Sequence, residues 1–173
     1  MEFKVGQAIH FDILDYRDFT YHVKRAEVYK RWIGSEAHFF TDYILKENMS
    51  EQEMRLRCHP DFTLLLSLYI EIPFDEGFQR VVEDSQGKDS FNIDDEQKQF
   101  YRSQELDGPY ANVAVMNQET LVVERSVSYW DYFNNGKDEA GQPTVEYLII
   151  ERKDDNGLFS LYRGMSVDNH NIW

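Results

Sequence analysis

Cysteine is nearly absent from these 173 residues: Cys58 stands alone, so no disulfide framework can staple the chain. Long apolar runs are missing too. No stretch approaches the ~18 residues that a membrane-spanning helix needs. No apolar h-region follows Met1-Glu2-Phe3-Lys4, so a signal peptide is not expected. Basic residues are few, 18 against 32 acidic ones. These gaps leave a globular domain of about 20.6 kDa, large enough to bury roughly 70% of its unfolded surface without a staple, with a cytoplasmic location expected.

The resulting net charge of −14 repels nucleic-acid phosphates and anionic lipid surfaces. No nucleic-acid partner and no direct membrane insertion are expected. A DNA mimic would carry its acids in one dense row. Here they divide evenly between residues 1–86 and 87–173. The charge serves solubility first, and beyond that it suits a basic protein partner.

What the chain does have is aromatic residues, with 11 Tyr and 12 Phe accompanied by many Val, Ile and Thr. Those types suit a pleated, half-buried surface. The clearest segment runs from Thr120 to Arg163. Leu121 to Phe133 is β-rich, Asn134-Asn135-Gly136 reads as its turn, Thr144–Arg152 forms a second strand and Leu158–Arg163 a third. That is an antiparallel meander. In the first half, Phe19–Trp32 fits either helix or strand, because its apolar residues fall on both parities. An internal comparison favours strand. Asp42-Tyr43-Ile44-Leu45 resembles Glu146-Tyr147-Leu148-Ile149, Met54–Cys58 stands where Phe159–Arg163 stands, and Val28–Trp32 answers Val127–Asp131.

Between these copies, Thr63–Ile72 reads as a buried strand ending at Pro73. Glu76–Asp84 reads as a short helix, and Ser85–Ser90 as the connector between lobes. Phe91–Ile93 with Gln99–Arg102 forms a hairpin, or else Asp94–Leu106 is a helix. Ala111–Met116 is a further strand. The expected fold is mainly β: two related antiparallel lobes, 1–86 and 87–173, built as small barrels or meander repeats with at most one or two short helices. The alternative is an α+β fold on a curved cystatin-like or lipocalin-like sheet, whose pocket would suit a small ligand.

Signatures of chemistry are absent. None of His10, His22, His38, His59 and His170 forms an i, i+4 pair, and no Cys-x-x-Cys occurs. Cys58 and His59 are adjacent, and neighbours on a strand point to opposite faces. No serine sits in Gly-x-Ser-x-Gly, and neither phosphate-loop pattern is present. Asp154-Asp155-Asn156-Gly157 lacks the alternating ligands and distal Glu of a calcium loop and reads as a hairpin turn. No cofactor, no metal and no enzyme activity are expected. One constellation remains, the aromatic run Tyr129-Trp130-Asp131-Tyr132-Phe133. Its rings serve either as core on both faces of a strand or as a recognition surface, since Trp and Tyr are enriched in hot spots. In the second reading Trp130, Tyr132, Tyr29 and Trp32 contact a protein partner, with Asp131 and Glu146 at the rim.

Tyr129-Trp130-Asp131-Tyr132, Gly141-Gln142-Pro143, Glu146-Tyr147-Leu148-Ile149 and Phe159-Ser160-Leu161-Tyr162-Arg163-Gly164 together resemble a bacterial domain family of unknown function. Phe91–Asp95 through Phe100-Tyr101-Arg102 is similar to that family's strand, acidic turn and aromatic-Tyr-Arg signature. Its members are often encoded near phage-shock-protein-A-like membrane-stress genes and polyamine-synthase-like genes. The resemblance covers the second half well and the first half loosely. It implies a mostly β accessory protein in envelope stress, and it carries over no catalytic residue. The expected function is that of a non-enzymatic acidic accessory or inhibitory protein. The alternative is a ligand-binding or enzymatic domain.

Overall fold

The fold is seen in a computed structural model, which describes all residues except 1, 14, 59–65, 73–89, 94–97, 103–109 and 138–142. It is mainly β, and no α-helix occurs among the described residues. The strands are β1 (Ala8–Ile9), β2 (Tyr21–Ile33), β3 (Glu36–Glu47), β4 (Glu53–Cys58), β5 (Leu66–Ile72), β6 (Ser90–Ile93), β7 (Lys98–Arg102), β8 (Tyr110–Asn117), β9 (Val123–Lys137), β10 (Pro143–Lys153) and β11 (Phe159–Val167). A 3-10 turn follows at Asn169–Asn171. The expected helix over Glu76–Asp84, the connector Ser85–Ser90 up to Asp89, and the residues 94–97 between the two strands of the expected hairpin lie outside the described residues.

Two compact units divide the chain, and they interleave rather than splitting at residue 86. One comprises Met1–Ile70, Ala114–Glu124 and Ser166–Trp173. The other comprises Glu71–Val113 and Arg125–Met165. In the first, β1 to β5 pair in chain order, all antiparallel, and the end of β8 lies along β2 from Glu27 to Lys30. In the second, β11, β10, β9, β7 and β6 pair in that spatial order, again antiparallel. The meander and the β6–β7 hairpin expected from sequence are both present.

The ambiguous segment is strand β2, and a β-bulge explains its mixed parity. The ladder with β3 shifts register between Val23 and Arg25. An extra residue turns the following side chains over. Tyr21 and Val23 before the bulge and Ala26 after it therefore enter the same apolar core, with Tyr43, Leu45 and Leu56. The chain ends are tied into this unit as well. Phe11 bridges Ile172, the His10 and Trp173 backbones exchange two hydrogen bonds of 2.7 and 3.1 Å, and their rings stack at 4.4 Å.

Asn134-Asn135-Gly136 does not turn. These residues pair with Glu146, Val145 and Thr144, so β9 continues to Lys137. Ladder pairing outweighs the local preference of Asn-Gly for a turn, because each extended residue there gains cross-strand partners. Both units contain a three-strand meander, β2–β3–β4 and β9–β10–β11, but in different registers. Tyr43 faces Leu56, whereas Tyr147 faces Gly164, three residues beyond Leu161.

Candidate functional site

Directly opposed residues of an antiparallel ladder share a face. On β4, Met54 and Leu56 point into the apolar core of the first unit, so Arg55 and Arg57 must point the other way. That other face is also buried. Glu27 faces Asp42, and Asp42 faces Arg57; their exposures are 3%, 0% and 1%. Two carboxylates opposed in this way repel unless each is held by a cation. Arg25 Nε donates to Glu27 Oε1 at 3.1 Å. Arg57 donates through Nε and Nη2 to the two oxygens of Asp42 at 2.7 and 2.8 Å. The planar guanidinium fork makes this bidentate grip possible.

Aromatic rings enclose the same cation. The Arg57 guanidinium carbon lies 4.4 Å from the Phe40 ring centroid, 5.2 Å from that of Tyr29 and 5.5 Å from that of Tyr69. Tyr29 and Phe40 stack at 4.6 Å. Arg55 Nη1 donates to the Tyr29 hydroxyl at 2.7 Å. This cluster is a structural ion-pair core, and its charges are engaged with one another. Next to it, Cys58 has its thiol pushed up to about 12, by burial first and then by the Asp42 carboxylate. Burial therefore favours the protonated thiol at neutral pH, the less nucleophilic form. Among the described residues, no three His, Cys, Asp or Glu side chains gather as a metal site would require. No helix there is long and apolar enough to cross a membrane.

The residues singled out for partner binding separate into two groups. Tyr29, Trp130, Asp131 and Tyr132 are buried, at 0%, 6%, 4% and 1% exposure. They are core, so the recognition surface expected at Tyr129–Phe133 is corrected to an interior strand. The reason is that β9 is covered on both of its faces. Trp130 lies opposite Ile150 and approaches Phe159 at 6.4 Å, and its indole N–H makes no hydrogen bond among the described residues. Glu146 is half-buried and accepts a hydrogen bond from Arg163 Nη2 at 2.9 Å.

Trp32 alone of the six is well exposed, at 59%. It sits at the tip of the β2–β3 hairpin, where Gly34 at φ 60° makes the two-residue connection between Ile33 and Glu36. Trp32 and Lys30 project on one face with Phe39, the partner of Lys30. Lys30 Nζ lies 5.0 Å from the Trp32 ring centroid and 5.9 Å from that of Phe39, within cation–π range of both. Ile33 and Phe39 are 39% and 43% exposed. The sequence reading did not select Lys30, Ile33 or Phe39. Gly34-Ser35, a turn-forming pair between two long β-prone segments, is the signal that would have marked them as a hairpin tip. A second apolar strip, Leu121-Val122-Val123, is also exposed. Comparisons of the chain with protein-family models, with curated proteins and with solved structures found no match.

Proposed function

We propose that this chain is a non-enzymatic, acidic accessory or inhibitory protein, acting in the cytoplasm, that binds a protein partner through the tip of its β2–β3 hairpin. The observation that carries this reading is Trp32, in the open on the same face as Phe39, with Lys30 reaching across both large rings and exposed Ile33 next to it at the tip. An exposed Trp beside two more large apolar side chains is the composition of an interface hot spot. The lysine keeps the rings ordered before a partner arrives, so less side-chain entropy is lost on binding. The net charge of −14 favours a basic partner by speeding encounter. A setting in bacterial envelope stress belongs to this proposal through the family resemblance alone.

Side-by-side capture from the native host tests it. Wild type and a Trp32→Ala/Phe39→Ala variant serve as baits at low salt. A basic protein that wild type retains, that the variant releases and that rising salt elutes supports the reading. If both baits retain the same partner, the hairpin tip is not the surface. If wild type retains none, the ligand-binding alternative takes precedence.

A further inference from the structure

A cleft of about 200 Å³ opens at the other end of the β2–β3 ladder, where Tyr21 pairs with Glu47. Its walls include Asp15, Tyr16 and Phe19 from the segment before β2, Tyr21, Glu47 and Met54. The rings do not stack. Tyr16 and Phe19 are inclined at 62° and 61° to Tyr21, with centroids 6.5 and 6.4 Å away, so they stand as walls around it. Two carboxylates share the space, and no Lys or Arg lines it among the described residues. Glu47 is fixed by the Met49 backbone N–H, which donates to Oε1 at 2.8 Å. The arginine and lysine nearest in sequence are committed elsewhere: Arg17 to Asp12 at 2.8 Å and Lys46 to Glu51 at 2.7 Å.

We infer that this cleft is a binding site for an organic cation of the methylated-ammonium type, received between Tyr16, Phe19 and Tyr21 and neutralised by Asp15 and Glu47. The walls choose the ligand class. Aromatic faces attract a cation that has an apolar skin, and the two carboxylates supply the opposite charge. An anion would be repelled. A neutral apolar molecule would strip water from the carboxylates without replacing it. A hard metal ion needs several converging oxygens, and the described residues hold no such cluster. The volume is below the ~300–1,000 Å³ of drug-sized sites, so it fits a headgroup rather than a large molecule. The local field agrees. The Tyr21 hydroxyl is pushed up to about 12, by burial, then Tyr16, then Glu47, and burial followed by Asp15 raises that of Tyr16.

The same chemistry occurs in a free quaternary ammonium compound and in a trimethylated lysine side chain. Calorimetric titration of the full chain with choline, with its neutral isostere 3,3-dimethylbutanol and with a trimethyl-lysine peptide distinguishes these sources. Choline binding about 10-fold tighter than its isostere is expected, a ratio within the range of desolvated cation–π contacts. Tighter binding of the peptide than of choline assigns the site to a protein-borne cation, and the reverse assigns it to a free one. Phe19 is 46% exposed and Asp15 is exposed, so Phe19→Ala and Asp15→Asn should fold as wild type does and each weaken choline several-fold. Equal binding of choline and its isostere, no choline binding, or unchanged affinity in both folded variants would overturn the inference. The hairpin-tip reading fails independently, since Trp32→Ala should bind choline as wild type does.

Discussion

Replacing Asp42 by Asn removes one charge from the buried cluster of the first unit and keeps the side chain's shape. Arg57 then stays inside, at 1% exposure, without the carboxylate that now takes two of its N–H groups at 2.7 and 2.8 Å. Arg55 loses its 3.4 Å contact with the same carboxylate. Breaking a buried pair in this way costs about 3–5 kcal/mol, because one ion remains desolvated. For a domain of this length about 2–4 °C of melting temperature is lost per kcal/mol, so Tm should fall by about 6–20 °C. Urea unfolding with an unchanged m-value is the direct assay. A companion variant separates charge from packing. Asp42→Leu with Arg57→Met removes both ions and should recover most of the loss, since apolar replacement of a whole buried pair is often neutral. The recovery should stop short of completeness, because the Arg57 contacts with the Phe40, Tyr29 and Tyr69 rings go too. A loss below about 1 kcal/mol for Asp42→Asn would refute the reasoning, since it would mean that the pair is solvated as a surface pair is.

Cys58 should resist a thiol reagent at pH 8 in the folded chain and react at the ordinary rate once denatured. Its folded value near 12 exceeds the ordinary 9, so the native state keeps the proton longer; its contribution to stability is full below about pH 9 and falls as pH rises toward 12, and a Cys58→Ala variant should show a smaller fall, the remainder coming from the Tyr16, Tyr21 and Tyr43 hydroxyls, which are raised as well. Trp130→Ala should cost about 3–5 kcal/mol as a buried indole is deleted, while Trp32→Ala should stay within about 0.5 kcal/mol of wild type by thermal melting. Leu121 sits at φ 56°, a left-handed conformation unusual for leucine, and its side chain is 67% exposed. Leu121→Gly should therefore raise stability, by up to about 1 kcal/mol in urea titration, through relief of backbone strain.

Residue type and local pattern were enough to make the chain a β protein. The strands at Thr144–Arg152, Leu158–Arg163 and Ala111–Met116 are legible in aromatic and β-branched runs bounded by turn signals, and β10, β11 and β8 occupy those positions. The single cysteine, the acidic balance and the missing motifs are likewise properties of composition. Where local pattern misled, a distant partner was responsible. Asn134–Gly136 stays extended because Thr144–Glu146 lies beside it. Tyr21, Val23 and Ala26 reach one core only because a bulge turns the strand over, and no periodicity displays a bulge in advance. Tyr29 and Trp32 have equal standing in sequence, three residues apart on one strand. One is fully buried beneath an arginine cluster, and the other stands at 59% exposure beside a hairpin turn. Burial is set by what packs over a side chain, and the residues over Tyr29 include Phe40 of β3 and Arg55 and Arg57 of β4, through pairings that exist only in the folded chain. The cleft beside Tyr21 is of the same kind. Asp15 and Glu47 are far apart in sequence and carry no shared signal, and the β2–β3 ladder brings them to one opening.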